Sequence, residues 1–159
     1  MKKLTLILLL SGSGLFVYAQ KTDKLTIFRI GLEGGVSPNV GTTQYANLGL
    51  TARFSLHAGP GYAYVGTGYM VSRDAFDFQI PIRVGYRFIF SKQFFIQEEL
   101  GYYFFKNPDS YAGQTVLHGL SIATSAGLQL GIFDIGIQYD AIINQNNFST
   151  IGFILGWNF

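Results

Sequence analysis

The last ten residues, Thr150-Ile151-Gly152-Phe153-Ile154-Leu155-Gly156-Trp157-Asn158-Phe159, carry a large apolar side chain at every second position: Ile151, Phe153, Leu155, Trp157 and Phe159. The residues between them are small or polar, except Ile154. Successive side chains of a β-strand point to opposite faces, so a period of two predicts a strand with one greasy face. A single strand of this kind decides little. Its weight depends on whether the rest of the chain follows the same pattern.

Composition narrows the choice. The 159 residues are 48% hydrophobic and 16% aromatic but only 13% charged, whereas a soluble domain carries about 25% charged residues. That is too little charge to coat a water-facing surface. A membrane helix would be the usual explanation, yet the only long apolar run, residues 4–18, is broken by Ser11-Gly12-Ser13-Gly14. It also falls short of the roughly 20 apolar residues that a spanning helix needs. The run follows Lys2 and Lys3 and ends in Val17-Tyr18-Ala19, which predicts a secretory signal peptide over residues 1–19, cleaved after Ala19. Residues 20–159 would then form one domain. Without Lys2 and Lys3 the 11 basic residues fall to 9, against 9 acidic ones. The excess positive charge belongs to the leader, and the case for a nucleic-acid partner goes with it. The chain has no cysteine, which excludes lipidation at cysteine, disulfides and thiolate metal sites. An exported, apolar chain without a spanning helix is reconciled by a closed β-barrel, because lipid cannot satisfy open sheet edges.

Alternation recurs along the chain. A first strand is predicted over 25–36, with Phe28, Ile30, Leu32 and Val36 on one face and Arg29 and Glu33 on the other. The second, over 47–58, alternates Leu48, Leu50, Ala52, Phe54, Leu56 and Ala58 with Asn47, Gly49, Thr51, Arg53, Ser55 and His57. The third, over 62–71, shows no polar face and its sides cannot be assigned. The fourth, over 76–90, sets Phe78, Ile80, Ile82, Val84, Tyr86, Phe88 and Phe90 against Gln79, Arg83, Gly85 and Arg87. Pro81 within it argues against a central strand. The fifth, over 94–105, holds Glu98 and Glu99 side by side; neighbours face opposite ways, so one carboxylate meets lipid unless a bulge turns it inward. The sixth and seventh, over 117–131 and 134–142, put Gly119, Ser121, Ser125, Gln129, Asp134, Gln138 and Asp140 on their polar faces. Connections alternate between long, polar segments and tight turns such as Gly59-Pro60-Gly61. About eight strands with this asymmetry predict an all-β fold: a closed, antiparallel, up-and-down transmembrane β-barrel.

With the pattern repeated throughout, the terminal strand resembles that of bacterial outer-membrane β-barrels, in which an alternating strand ending in Phe is read by the barrel-assembly machinery. The resemblance implies Phe153, Leu155, Trp157 and Phe159 as that assembly signal. Phe78-Gln79-Ile80-Pro81-Ile82-Arg83-Val84-Gly85-Tyr86-Arg87-Phe88, after a Gly- and Tyr-rich strand, resembles the small outer-membrane β-barrel family common in Bacteroidetes, of OmpA/OmpX-like architecture. That resemblance would also account for Pro81. It implies an integral protein of the cell outer membrane, in contact with outer-membrane lipid and lipopolysaccharide and monomeric, but it brings a location and no reaction.

The predicted inward set places Arg29, Arg53, Arg83 and Arg87 against Glu33, Glu99, Asp134 and Asp140. An eight-stranded barrel is only wide enough to be filled by side chains or to hold one small ligand, and unpaired buried charge is costly. Ion pairs plugging the interior are expected, with a narrow pore or a lipocalin-like ligand-binding barrel as alternatives. Aromatic girdles are expected from Phe88, Phe90, Phe94, Trp157 and Phe159 at one rim and Tyr102, Tyr103, Phe104 and Tyr139 at the other. Chemistry is sparse. His57 and His118 have no metal-ligand spacing between them. His118 and Ser121, with Asp109 nearby, invite comparison with lipid A deacylases, but a His-x-x-Ser spacing puts the two on opposite strand faces. No catalytic residue and no cofactor is expected. A structural role, or recognition through loops 37–46, 106–116 and 143–149, remains.

Overall fold

The computed structural model describes residues 25–37, 45–73, 78–90, 93–106, 116–143 and 148–159. They form eight strands: β1 (Thr26–Ser37), β2 (Tyr45–Ala58), β3 (Gly61–Arg73), β4 (Phe78–Phe90), β5 (Phe94–Lys106), β6 (Val116–Leu130), β7 (Phe133–Ile143) and β8 (Phe148–Asn158). Each pairs antiparallel with its neighbour in sequence, and β1 with β8, which closes a barrel in the order β1 to β8. The signal-peptide expectation for 1–19 lies outside the described residues. So do Asp109 and most of the three recognition loops.

The C-terminal strand closes the circle. Its register against β1 runs from Arg29↔Asn158 to Val36↔Ile151, and the Phe159 amide donates to the Phe28 carbonyl at 2.8 Å. Following paired residues once round, from Thr26 through Leu56, Ala63, Tyr86, Glu98, Thr124, Tyr139 and Ile151, ends at Val36, ten residues along β1 from the start. A displacement of that size tilts the strands by about 35–45° from the barrel axis. Two tight turns use glycine where the backbone needs positive φ: Gly59 at 59° and Gly131 at 66°. Those two turns, the end of β4 and the start of β5 lie at one end of the barrel with the first residues of β1 and the last of β8, and the strand ends that the longer connections join lie at the other.

Side chains alternate as the pattern predicts. On the outside, Leu50 is 62% exposed, Leu100 61% and Ile137 70%, values that only an apolar surrounding makes favourable for so many large side chains at once. The inside holds the charges of the described residues, with the exception of Glu98. β3, which could not be assigned from sequence, turns Tyr62, Tyr64 and Met70 inward and Val65, Tyr69 and Val71 outward. Ile154, a large residue on the polar side of β8, is fully buried in the lumen. Pro81 faces inward in β4, and the β3–β4 ladder skips it, passing from Thr67↔Ile82 to Met70↔Gln79. The Thr67 hydroxyl donates to its carbonyl at 2.9 Å, so the missing N–H interrupts pairing locally without ending the strand.

One girdle expectation fails. Tyr103 is 1% exposed and lies in the lumen, because β5 alternates without a bulge and Tyr102 and Phe104 take the outer positions. The same unbroken register settles the two adjacent carboxylates: Glu99 is buried inside, and Glu98 faces outward, where the Thr124 hydroxyl donates to it at 2.7 Å.

Candidate functional site: the charged lumen

All eight predicted lumen charges are buried and connected. Arg53 donates to Glu33 and, through Nε and Nη2, to Glu99 Oε1 at 3.1 and 2.8 Å. Arg83 reaches further: Nη1 donates to Glu33 at 2.8 Å and Glu99 at 3.0 Å, while Nη2 donates to Asp140 at 3.1 Å and to the Tyr103 hydroxyl. Nearer the tight-turn end, Arg29 and Arg87 both donate to Asp134 Oδ2, at 2.9 and 2.5 Å. Gln97 joins the two groups. Its carbonyl accepts from Arg29 and Arg87, and its amide donates to Glu99 at 2.6 Å.

The network contains members that the charge pattern did not reveal. Besides Gln97 they are Thr51, Tyr64, Tyr103 and Asn158. Gln97 and Tyr103 share the parity of Glu99 and could have been found by it; Tyr64 sits on a strand whose sequence shows no polar face. Aromatic rings also support the guanidinium groups: Arg87 Cζ lies 4.0 Å from the Phe95 centroid, Arg83 5.2 Å from Tyr103 and Arg53 5.8 Å from Tyr64. Such cation–π contacts strengthen when water is excluded.

Room for long arginines in a narrow lumen comes from glycine. Gly66 pairs with Arg53 on one side and Arg83 on the other, and a Cβ there would lie 2.6 Å from Arg53 Cγ and 3.0 Å from the Ala52 carbonyl oxygen. Gly101 likewise borders Arg83 and Ser121, with a Cβ placed 3.0 Å from Arg83 Cγ and 2.5 Å from Ser121 Oγ. Gly66→Leu is therefore expected to displace Arg53 and to lower barrel stability by about 1–3 kcal/mol, the usual cost of overpacking. The heat-dependent gel shift of folded barrel, compared with wild type, measures it.

Two small cavities lie within the network. A cavity of about 20 Å³ lies beside Glu33, Asn47, Arg83, Gln138 and Asp140, and one of about 10 Å³ beside Arg29, Tyr62, Arg87 and Asn158. Each has room for about one water. The histidines do not enter this arrangement. His57 is exposed at the tight-turn mouth, edge-on to Tyr62 at 5.5 Å, and His118 is on the outer face, stacked on Tyr102 at 5.6 Å. Ser121 is buried in the lumen, so the barrel wall separates it from His118, as the spacing predicts. Among the described residues no group of three or more His, Asp or Glu side chains is placed to hold a metal.

No protein-family model and no curated protein matches the sequence. Solved structures do match the fold. The N-terminal β-barrel domain of Pseudomonas aeruginosa OprF aligns with a TM-score of 0.59 at 10% identity, covering 86% of this chain and 98% of that one. Yersinia pestis Ail, the attachment invasion locus protein, aligns at 0.55 and 15% identity over 84% and 97% of the two chains. A transmembrane β-barrel designed de novo aligns at 0.58 and 11% identity over 88% and 100%. The chain has the architecture of a small, eight-stranded transmembrane β-barrel.

Proposed function

We propose that this chain is an integral outer-membrane protein whose lumen is closed by an ion-pair plug, and whose role is structural or rests on recognition by its long connections. One observation carries the reading: among the described residues the large apolar side chains face out and the charged ones, Glu98 apart, face in. A soluble ligand-binding barrel of the lipocalin kind needs the reverse. A continuous apolar exterior is what a hydrocarbon surrounding requires, and closure removes the unpaired edges that lipid would penalise. The small lumen volume favours a plug over a pore.

Residues 1–19 would be the export signal, with passage through the periplasm. The outward-facing Phe153, Leu155, Trp157 and Phe159 on β8 would be read by the assembly machinery. Outer-membrane lipid and lipopolysaccharide would be the surrounding partners of a monomer without catalysis, and Phe78 to Phe88 supports a Bacteroidetes-type member of this architecture. The test is single-channel conductance of residues 20–159 refolded into a planar lipid bilayer, with folding verified by the heat-dependent gel shift. Silence is expected. Discrete conductance steps from folded protein would replace the plug with a pore.

A further inference from the structure

Among the described residues the lumen's charges balance in number but not in place. Toward the long-connection end, Arg53 and Arg83 meet three carboxylates: Glu33, Glu99 and Asp140. Toward the tight-turn end, Arg29 and Arg87 share only Asp134. With every group ionised, the first cluster carries one excess negative charge and the second one excess positive charge. An uncompensated charge in a dry interior is expensive, so something must neutralise it.

The larger cavity lies against the negative cluster. Three oxygens of its lining residues, Asn47 Oδ1, Gln138 Oε1 and Asp140 Oδ1, are buried and have no hydrogen-bond partner. Arg83 Nε is also unpartnered, but that guanidinium already directs both terminal nitrogens at carboxylates and Tyr103. The unmet demand around the cavity is thus mainly for a positive or donating occupant. One water could donate to only two of the three oxygens and would bring no charge.

We propose that this cavity binds a single monovalent metal cation of the sodium class, held by Asp140 Oδ1, Asn47 Oδ1 and Gln138 Oε1. Hard carboxylate and carboxamide oxygens suit a hard cation. One positive charge cancels the local excess, whereas a divalent ion would reverse it. A volume of about 20 Å³ admits an ion or a water and excludes an organic ammonium. The bound ion would complete the plug at its outer end and tie β2, β7 and the Arg83 cluster together.

The experiment follows thermal unfolding of refolded residues 20–159 in uncharged detergent at constant ionic strength, exchanging choline chloride for sodium chloride. The midpoint is expected to rise saturably with sodium, as binding to the folded state alone requires. Asp140→Asn should abolish the response. Because Asp140 also bonds Arg83 and Tyr103, that variant can fail to fold; Asn47→Ala touches no ion pair and should fold while needing about tenfold more sodium for the same rise. Equal midpoints in sodium and choline would overturn the proposal, leaving water or a shared proton as the occupant. A sodium response unchanged in Asn47→Ala would overturn it as well, since the ion would then bind elsewhere.

Discussion

Arg83→Ala is expected to lower the unfolding midpoint of the barrel sharply while leaving it electrically silent. Among the described residues Arg83 is the only side chain that pairs with Glu33, Glu99 and Asp140 together. Its loss leaves Glu33 and Glu99 with Arg53 as their remaining cation, and Asp140 with the Tyr103 hydroxyl, which donates to it at 2.5 Å. Removing one partner from a buried ion pair costs about 3–5 kcal/mol, because the other charge stays buried without compensation. Arg53, Tyr64, Tyr103 and Gln97 still fill the cross-section, so a water-filled path is not expected to open. Melting followed by the heat-dependent gel shift, paired with bilayer recording on the same preparation, separates the two effects. Unchanged melting with raised conductance would mean that Arg83 gates a pore and does not hold a plug.

Much of this arrangement was legible because a β-strand has a period of two. In β2, β4 and β8 the alternation of large apolar with polar residues assigned both faces, and the eight lumen charges followed from parity alone. β3 resisted for a physical reason. A lumen crowded by long arginines from β2 and β4 selects the residue opposite them by volume, so Gly66 appears where a polar residue was sought, while Tyr62, Tyr64 and Met70 fill the space beside it. Tyr103 stands among neighbouring aromatics near a strand end, but its position in β5 has the parity of Glu99, which directs it inward and not to the girdle. The uneven spread of charge was hidden for another reason. Which carboxylate meets which arginine depends on the ten-residue stagger around the barrel, and register between strands leaves no mark in a single sequence.

The adjacent carboxylates Glu98 and Glu99 should respond to the same substitution with opposite sign. Glu99 accepts hydrogen bonds from Arg53, Tyr64, Arg83 and Gln97. Glu99→Leu would strip a partner from two buried arginines and leave the Tyr64 hydroxyl and the Gln97 amide unsatisfied, a loss of about 3–5 kcal/mol or more. Glu98 lies on the outer face with one bond, from the Thr124 hydroxyl at 2.7 Å. In a bilayer it is a carboxylate presented to lipid, which is unfavourable to a degree set by depth and smaller for acids than for Arg or Lys. Glu98→Leu is therefore expected to stabilise the barrel by about 1 kcal/mol, the removed lipid-facing charge outweighing one peripheral hydrogen bond. Denaturant unfolding of both variants in lipid vesicles measures the pair on one scale. If Glu98→Leu destabilised as much as Glu99→Leu, the outer face at that position could not be in contact with lipid, and a partner covering Glu98 and Thr124 would have to be sought.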